Sequence, residues 1–462
     1  MDRRSFLAAS SIAALGIAGC NPKQNDAVPT APADESKLRE LKVVLVEDEP
    51  FAEILVRDWK STSQRPFSVQ SVTVDELRKM KEIAADVVIY PPRMIGELAE
   101  SGRIAPLDEQ TLEKPELARE EIIDLARTKL GVWGQRVFGI PLSTPQLLMV
   151  YQKNKIASPP QSWQEFDELC KSLPSDCPAA LDPLAEETRS LVLLSRAASR
   201  ARGKNQHSTL FDIASLKPLI ATPPFIQALE ELVARAQGKQ QEALATTTKM
   251  VWEQLAGGKV AMGLTWPVAA EASEGGATVD SLSFSKLPGS RSFFVHAENR
   301  MEEGTEVRHF PVLGGAGRLI SAIRGKMGLR DGANLLVLLS GKARAGKLGL
   351  ATIDAFPCRQ SQLSQAEKWL GALRSEEPAK RFVESVSESL TARDSLIATN
   401  LPGEAEYTSA LNTAIEKTVL ANGSAAENLA AAASEWEAIT EKLGREKQKL
   451  AYLRSLGLEE FH

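Results

Sequence analysis

Acidic residues that follow the first apolar run of the chain have the chemistry to bind a small polar ligand. Glu47 and Asp48 come directly after the β-branched run Leu41–Val46. A carboxylate can accept two hydrogen bonds from ligand hydroxyl groups, and such charge-assisted bonds are strong. The same residues could instead cap a helix whose first turn contains Pro50. Ligand binding and helix capping both stay open for Asp48.

Further polar candidates lie at the ends of other apolar runs. Tyr90 and Arg93 flank two prolines, which fix a loop that has little backbone entropy left to lose. That loop could form the wall of a binding cleft or only a rigid turn. Ser143 and Thr144 follow another apolar run, and their hydroxyl groups could bind a ligand or cap nearby backbone.

No motif in the sequence indicates catalysis or metal binding. The nucleophile motif G-x-S-x-G is absent, and the four histidines are scattered through the chain. A glycosidase would need two carboxylates at a defined separation, and no motif marks such a pair. We therefore expect a binding protein that is not an enzyme, with no metal and no other cofactor.

Composition excludes several classes of protein. The chain has 462 residues, of which 43% are hydrophobic and 25% are charged, as in globular proteins. This length predicts at least two hydrophobic cores. The formal net charge is −5 and no dense run of basic residues occurs, so we expect no nucleic-acid partner.

The N-terminus predicts export and lipid anchoring. Residues 1–20 contain the arginine pair Arg3-Arg4, an apolar stretch and then Cys20, which is the pattern of a signal peptide. The arginine pair resembles a twin-arginine export signal. Ile17-Ala18-Gly19-Cys20 resembles the bacterial lipobox, which implies an acylated Cys20 that holds the chain at a bilayer. Ordinary cleavage with a free thiol is the alternative, and residues 21–40, rich in Pro and Ala, predict a flexible tether.

Strands and helices alternate in the body of the chain. The runs Leu41–Val46, Phe67–Thr73 and Asp86–Tyr90 predict strands, and helical spacing follows each of them. Such alternation is typical of a mostly parallel sheet with helical crossovers. Ligands of these sheets bind beyond the carboxyl ends of the strands, which is where Glu47, Asp48 and Tyr90 lie.

Several segments, taken in order, resemble the bacterial ABC-transporter extracellular solute-binding proteins of family 1, the sugar-binding group that includes maltose-binding protein. The resemblance extends from about Leu41 to Leu443. The segments that carry it are DVVIYPPRMIGELAESGRIAPLDE (86–109), VFGIPLSTPQLLMVYQKN (137–154), PPQSWQEFDELC (159–170), WEQLAGGKVAMGLTW (252–266), LPGS (287–290), GGAGRLISAIRGK (314–326), FPCRQS (356–361) and ANGSAAENLAAAASEW (421–436).

This resemblance implies an α/β fold of the periplasmic-binding-protein-like type II, with two α/β lobes joined by hinge strands. By analogy the first lobe combines residues 41–142 and 285–339. The second lobe combines residues 143–284 and 340–462. Ligand contacts from both lobes would then close the hinge.

The resemblance also suggests residues of the cleft. Trp266 ends an apolar strand where the family often presents an aromatic ring, which could stack on a sugar; a core tryptophan at a strand end is the alternative. Gly314 and Gly315 resemble the glycine pair near the family's cleft, and Arg359 matches an arginine near its wall, although a surface salt bridge would also explain Arg359. Cys170 and Cys177 are a candidate disulfide, because an exported protein can form one.

The function that these features predict is capture of a small polar solute, a carbohydrate, for delivery to an ABC permease. We expect a monomer held by its lipid on the periplasmic or extracellular face of the membrane. Two alternatives stay open. One is an exported carbohydrate-active enzyme; the other is a sensory or structural lipoprotein that kept the fold, which the low counts of four Tyr and seven Trp would suit.

Overall fold

The computed structural model describes residues 35, 38–173, 180–203, 206–267, 279–325, 329–351, 356–365, 368 and 376–459. Strands are numbered along the chain as β1 (Leu41–Val46), β2 (Phe67–Val72), β3 (Val87–Tyr90), β4 (Val132–Trp133), β5 (Arg136–Val137), β6 (Ile140–Ser143), β7 (Leu148–Gln152), β8 (Ala180–Leu181), β9 (Met262–Thr265), β10 (Leu282–Ser285), β11 (Ser290–Val295), β12 (Arg300–Arg308), β13 (Val312–Leu313), β14 (Arg318–Ala322) and β15 (Leu396–Ile397).

Helices are numbered in the same way as α1 (Glu49–Thr62), α2 (Val74–Lys79), α3 (Ile95–Glu100), α4 (Glu109–Leu112), α5 (Trp163–Ser172), α6 (Arg189–Ala201), α7 (Pro223–Ala236), α8 (Gln240–Ala245), α9 (Thr248–Ala256), α10 (Leu329–Ser340), α11 (Lys342–Ala351), α12 (Gln360–Leu363), α13 (Glu376–Leu390), α14 (Glu404–Val419), α15 (Ala425–Leu443) and α16 (Arg445–Leu456). A 3₁₀ turn spans Pro92–Met94, and a π-helix spans Ala126–Leu130. None of the described helices is long and apolar enough to cross a membrane.

The first sheet has the strand order β2-β1-β3-β14-β6. Strand β1 runs parallel to β2 and β3, whereas β14 is antiparallel to both of its neighbours. All four residues of β3 are buried, as expected for a strand covered on both faces. Helices α10 and α11 pack against this sheet, and α11 also packs on α1.

The second sheet has the order β10-β7-β9-β8. Strand β7 pairs antiparallel with both β9 and β10. Helix α9 packs on β9, and α13 packs on β10. The chain therefore passes from the first sheet to the second between Ser143 and Leu148, and β14 brings it back to the first sheet at Arg318. This mixed α/β architecture confirms the predicted fold class.

Helix α11 packs beside the first sheet, although the predicted lobe boundary assigns it to the second lobe. The prediction assigned everything from residue 340 onward to the second lobe. Asp58 of α1 instead forms ion pairs with Arg344 and Lys347 of α11. These contacts hold α11 beside the first sheet, whereas α13 packs on β10 of the second sheet.

The C-terminal helices form a layer of their own. Helices α14 and α15 pack tightly on each other and on α6 and α7. Helix α16 follows directly after Gly444, whose φ is +93°. Arg454 of α16 bonds Glu100 of α3, and the hydroxyl group of Tyr452 is within 3.4 Å of the amide nitrogens of Leu210 and Phe211. Helix α16 therefore contacts α3 and the segment between α6 and α7.

Candidate functional site

Asp48 lies at the carboxyl end of β1, where it caps α1. Its Oδ1 accepts a hydrogen bond of 3.2 Å from the backbone nitrogen of Phe51, so the capping role is present. The preceding residue, Glu47, has a φ of +49°, a conformation that is uncommon outside glycine. This turn exposes Glu47 and buries Asp48, which is 2% exposed.

Arg318 is a site residue that the sequence analysis missed. Its guanidinium donates to the carbonyl oxygens of Gly317 at 2.9 Å and Glu47 at 3.3 Å. It also forms an ion pair of 3.9 Å with Asp48, and both side chains are nearly inaccessible. The available signal was an arginine that opens the apolar run of β14, because a buried charge at a strand end needs a partner.

The segment that joins the two sheets contains polar side chains with unused hydrogen-bonding capacity. Thr144 and Gln146 are 2% and 1% exposed. The hydroxyl oxygen of Thr144 and both polar atoms of the Gln146 amide have no hydrogen-bond partner in the described part of the chain. An unsatisfied buried polar group costs about 1–3 kcal/mol, so these groups are suited to partners supplied by a ligand or by water.

Ser143 begins this crossing segment, and Trp266 follows the residue that pairs with Leu148 at its other end. Ser143 pairs with Arg318 in the first sheet, and Leu148 pairs with Thr265, the residue before Trp266, in the second. The indole is 8% exposed at the end of β9, and residues 268–278 lie outside the described part of the chain. The crossing segment, which carries Ser143, Thr144 and Gln146, therefore connects the part of the first sheet that holds Arg318 to the part of the second sheet that precedes Trp266.

The glycine loop lies against the loop after β3, helix α6 and the crossing segment. Gly314 has a φ of +84°, and a Cβ there would be 4.0 Å from Cβ of Pro92. A Cβ on Gly315 would be 3.0 Å from a methyl group of Leu191 in α6. Gly317 has a φ of +103°, and a Cβ there would be 2.4 Å from the carbonyl oxygen of Ser143. The loop thus requires glycine for its conformation and for the close approach of its neighbours.

Two predicted ligand residues have their polar groups bound within the protein. Tyr90 is completely buried, and its hydroxyl oxygen is 2.8 Å from Oγ of Ser321. The buried guanidinium of Arg359 donates to the carbonyl oxygens of Leu117 and Ala118 at 3.0 Å and of Ser340 at 2.7 Å. Arg359 is buried and forms no surface salt bridge with any described residue, so that alternative does not apply, and we leave both residues out of the candidate site.

Arg93 belongs to a cluster of ion pairs at the edge of the site. Its guanidinium is 3.7 Å from the Glu404 carboxylate on α14, and Arg78 of α2 is 3.0 Å from the same carboxylate. Burial raises the pKa of Glu404, although the charges of Arg93 and Arg78 act in the opposite direction. The cluster connects helices beside the first sheet to the C-terminal layer.

The pKa of Glu404 gives a testable pH dependence. Because its pKa is raised in the folded state, protonation favours folding, and the stability that Glu404 contributes is lost as the pH rises through the folded pKa. We expect the wild type to gain stability relative to Glu404→Gln as the pH falls from neutral towards the ordinary glutamate pKa. Urea unfolding of both proteins across that pH range measures the difference in their stability. A difference that does not change with pH would contradict the prediction.

The predicted cysteine chemistry lies largely outside the described residues. Cys170 is half-buried, and burial raises the pKa of its thiol to about 11. Its predicted partner Cys177 lies outside the described residues, as does the lipidation site Cys20. The bridge and the lipid anchor therefore stay predictions.

Comparison with known proteins identifies the class to which this fold corresponds. The family model described as bacterial extracellular solute-binding protein matches residues 82–302. No curated protein matches the sequence. The fold is that of the two-lobed solute-binding proteins, and the resemblance to family 1 of these proteins, the group that includes maltose-binding protein, is confirmed.

Solved structures share this fold over most of the chain. An ABC-transporter solute-binding protein from Agrobacterium radiobacter K84, in complex with ribitol, aligns with a TM-score of 0.64 and 15% identity, over 88% of this chain and 98% of that one. The maltose-bound MalE3 of T. maritima aligns with a TM-score of 0.62 and 14% identity, over 87% of this chain and 99% of that one. The sugar-binding protein MalE from Xanthomonas citri aligns with a TM-score of 0.62 and 15% identity, over 92% of this chain and 100% of that one.

Proposed function

We propose that this protein is the lipid-anchored binding subunit of an ABC importer and captures a small carbohydrate or polyol without altering it. The solute is bound between two lobes, and the closed form is delivered to a permease. The acylated Cys20 and the tether of residues 21–40 keep the protein near that permease. This function needs no catalytic residue and no cofactor.

The observation that carries the proposal is the unpartnered Gln146 amide beside the unpartnered Thr144 hydroxyl. An amide offers two donors and two acceptor positions, which suits adjacent hydroxyl groups of a polyol. The buried pair of Asp48 and Arg318 ends the first sheet close by and adds charged hydrogen-bonding groups. The ligands named for the solved structures, ribitol and maltose, have this hydroxyl chemistry.

The arrangement of the sheets supports closure as the way of binding. We propose that the lobe of the first sheet comprises residues 41–142, 285–339 and helix α11. The second lobe comprises residues 143–284 and the helices from α13 to α15. A solute that bonds Ser143 and Thr144 from one side and stacks on Trp266 from the other would favour the closed form, because it binds that form better.

Calorimetry of the purified full chain tests this function. The protein is kept in a detergent without a sugar headgroup and titrated with ribitol, glucose and maltose. We expect saturable heat with at least one of them, and an affinity at least about tenfold lower for Gln146→Ala, because each lost hydrogen bond contributes roughly 1 kcal/mol. The stability of this variant should change little, since the amide has no protein partner to lose.

Gln241→Ala is the matched control, because Gln241 is exposed on α8. It should bind the same sugar with unchanged affinity. Absence of heat with every polyol and sugar would contradict the proposal, and so would an equal loss of affinity in the control.

A second function is favoured by the packing of the glycine loop. Leu191 is seated on Gly315, and the Glu404 ion pairs link the two lobes without any ligand. A sensory or structural lipoprotein on the same fold would have a site closed in this way. This alternative would be supported if every sugar in the panel left the thermal unfolding temperature of the chain unchanged.

A further inference from the structure

A cavity lies away from the crossing segment, beneath the C-terminal helix. It has a volume of about 160 Å³. Its walls come from the π-helix, the loop after α6, the segment around β15 and the end of α16. Helix α16 begins after Leu443, where the resemblance to family 1 ends. The cavity therefore depends on a part of the chain that the resemblance does not cover.

Two polar side chains that are largely covered by protein line this cavity. Thr399 and Asn400 are only 6% and 8% exposed. Other buried polar groups of this region are bonded, such as Ser208, whose hydroxyl group is next to that of Tyr452. The side chains of Thr399 and Asn400 make no hydrogen bond to any residue that the structure describes. Both side chains line the cavity, so the hydroxyl group of Thr399 and the amide group of Asn400 are available to a ligand there.

The charge of the cavity wall is positive. Lys129, Arg202 and Arg393 line it, and no aspartate or glutamate does so among the described residues. The carboxylate of Asp394, just outside the wall, is shared between Arg202 at 2.8 Å and Arg308 at 3.2 Å, so it cannot neutralise both. Lys129 and Arg393 have no ion-pair partner within the described ranges. An anion entering the cavity would supply the missing negative charge.

We propose that this cavity binds a small hydroxylated anion, a carboxylate or a phosphate ester of roughly six to ten non-hydrogen atoms. The size follows from the volume, because a cavity of about 150 Å³ accommodates a benzene molecule. Lys129 and Arg393 attract the oxyanion, while Thr399 and Asn400 bond its hydroxyl groups. The site is separate from the interlobe site in the proposed function and does not depend on it.

Calorimetry of the full chain with small anions tests this site. The probes are D-glycerate, glycerol 3-phosphate and inorganic phosphate, and glycerol serves as the uncharged analogue. We expect glycerate or glycerol 3-phosphate to bind, glycerol to give no heat, and affinity to fall with added salt. The probe that binds best distinguishes a carboxylate site from a phosphate-ester site. Binding of inorganic phosphate alone would overturn the proposal, because it would leave the hydroxyl-binding residues without a role.

Charge-matched variants locate the site. The double variant Lys129→Gln/Arg393→Gln should bind the anion at least about tenfold more weakly, because two charge-assisted contacts are removed. The control Arg330→Gln/Lys417→Gln removes the same charge from exposed positions that do not line the cavity, and its affinity should stay within about twofold.

Two further outcomes separate this site from the interlobe site. Gln146→Ala should retain the anion binding in full, whatever its effect on sugars. Loss of anion binding in Gln146→Ala, equal loss in both double variants, or absence of heat with every anion would overturn the proposal. Asn400→Ser replaces the amide by a smaller polar group. We expect this variant to bind glycerate more weakly and inorganic phosphate with unchanged affinity.

Discussion

Replacement of Gly131 by alanine is expected to destabilise the protein by about 3 kcal/mol or more. Gly131 ends the π-helix, and a Cβ there would lie 1.8 Å from the carbonyl oxygen of Gly139. The obstacle is backbone, which cannot rotate away as a side chain can. Gly131 also accepts hydrogen bonds from the backbone nitrogens of Phe138 at 2.8 Å and Gly139 at 3.1 Å. A methyl group must therefore push apart the two segments that these bonds join, and overpacking of this kind is costly.

The consequence extends to the candidate site, because Gly139 directly precedes β6. Displacement of β6 moves Ser143 and the start of the crossing segment. We therefore expect a lower free energy of unfolding in guanidinium chloride and weaker solute binding in the protein that remains folded.

Gly346→Ala is the matched control, since a Cβ on this glycine of α11 meets nothing within 4 Å. Alanine is favoured over glycine in a helix by about 0.5–1 kcal/mol, so this variant should be more stable than the wild type. Equal stability changes in the two variants would show that the clash at Gly131 is relieved by a movement of Gly139.

Features that depend on neighbouring residues could be predicted from the sequence. The apolar run Leu41–Val46 forms β1 with these bounds, and the acidic residue after it caps α1. Strands buried on both faces have a continuous apolar pattern, so they could be found in the sequence. Their alternation with helices then predicted the fold class. The segments that resemble family 1 gave the two-lobed architecture.

Features that depend on distant residues could not be predicted. Arg318 and Asp48 are 270 positions apart, and only the topology of the first sheet, with β14 between β3 and β6, brings them together. No local pattern shows that Gln146 is buried without a partner, since the same residue in a loop is usually solvated. Tyr90 and Arg359 were assigned to a ligand by position, whereas their polar groups bond Ser321 and three backbone carbonyls.

Replacement of Asp48 by asparagine should lower the free energy of unfolding by about 3 kcal/mol, because it leaves the buried Arg318 guanidinium without its carboxylate. Asparagine caps a helix as well as aspartate does, so α1 keeps the hydrogen bond from Phe51. The variant therefore removes the charge and preserves the cap. Thermal and urea unfolding measure the loss.

The double variant Asp48→Asn/Arg318→Met separates the cost of an unpaired charge from the worth of the pair. Methionine fills much of the arginine's volume without a charge, so the double variant should regain most of the stability that Asp48→Asn loses. If the pair only holds the first sheet together, this double variant should bind the solute as the wild type does. If Asp48 binds the solute, both Asp48→Asn and the double variant should lose binding, while only the double variant regains stability. Equal stability of Asp48→Asn and the wild type would show that solvent or other groups already neutralise Arg318.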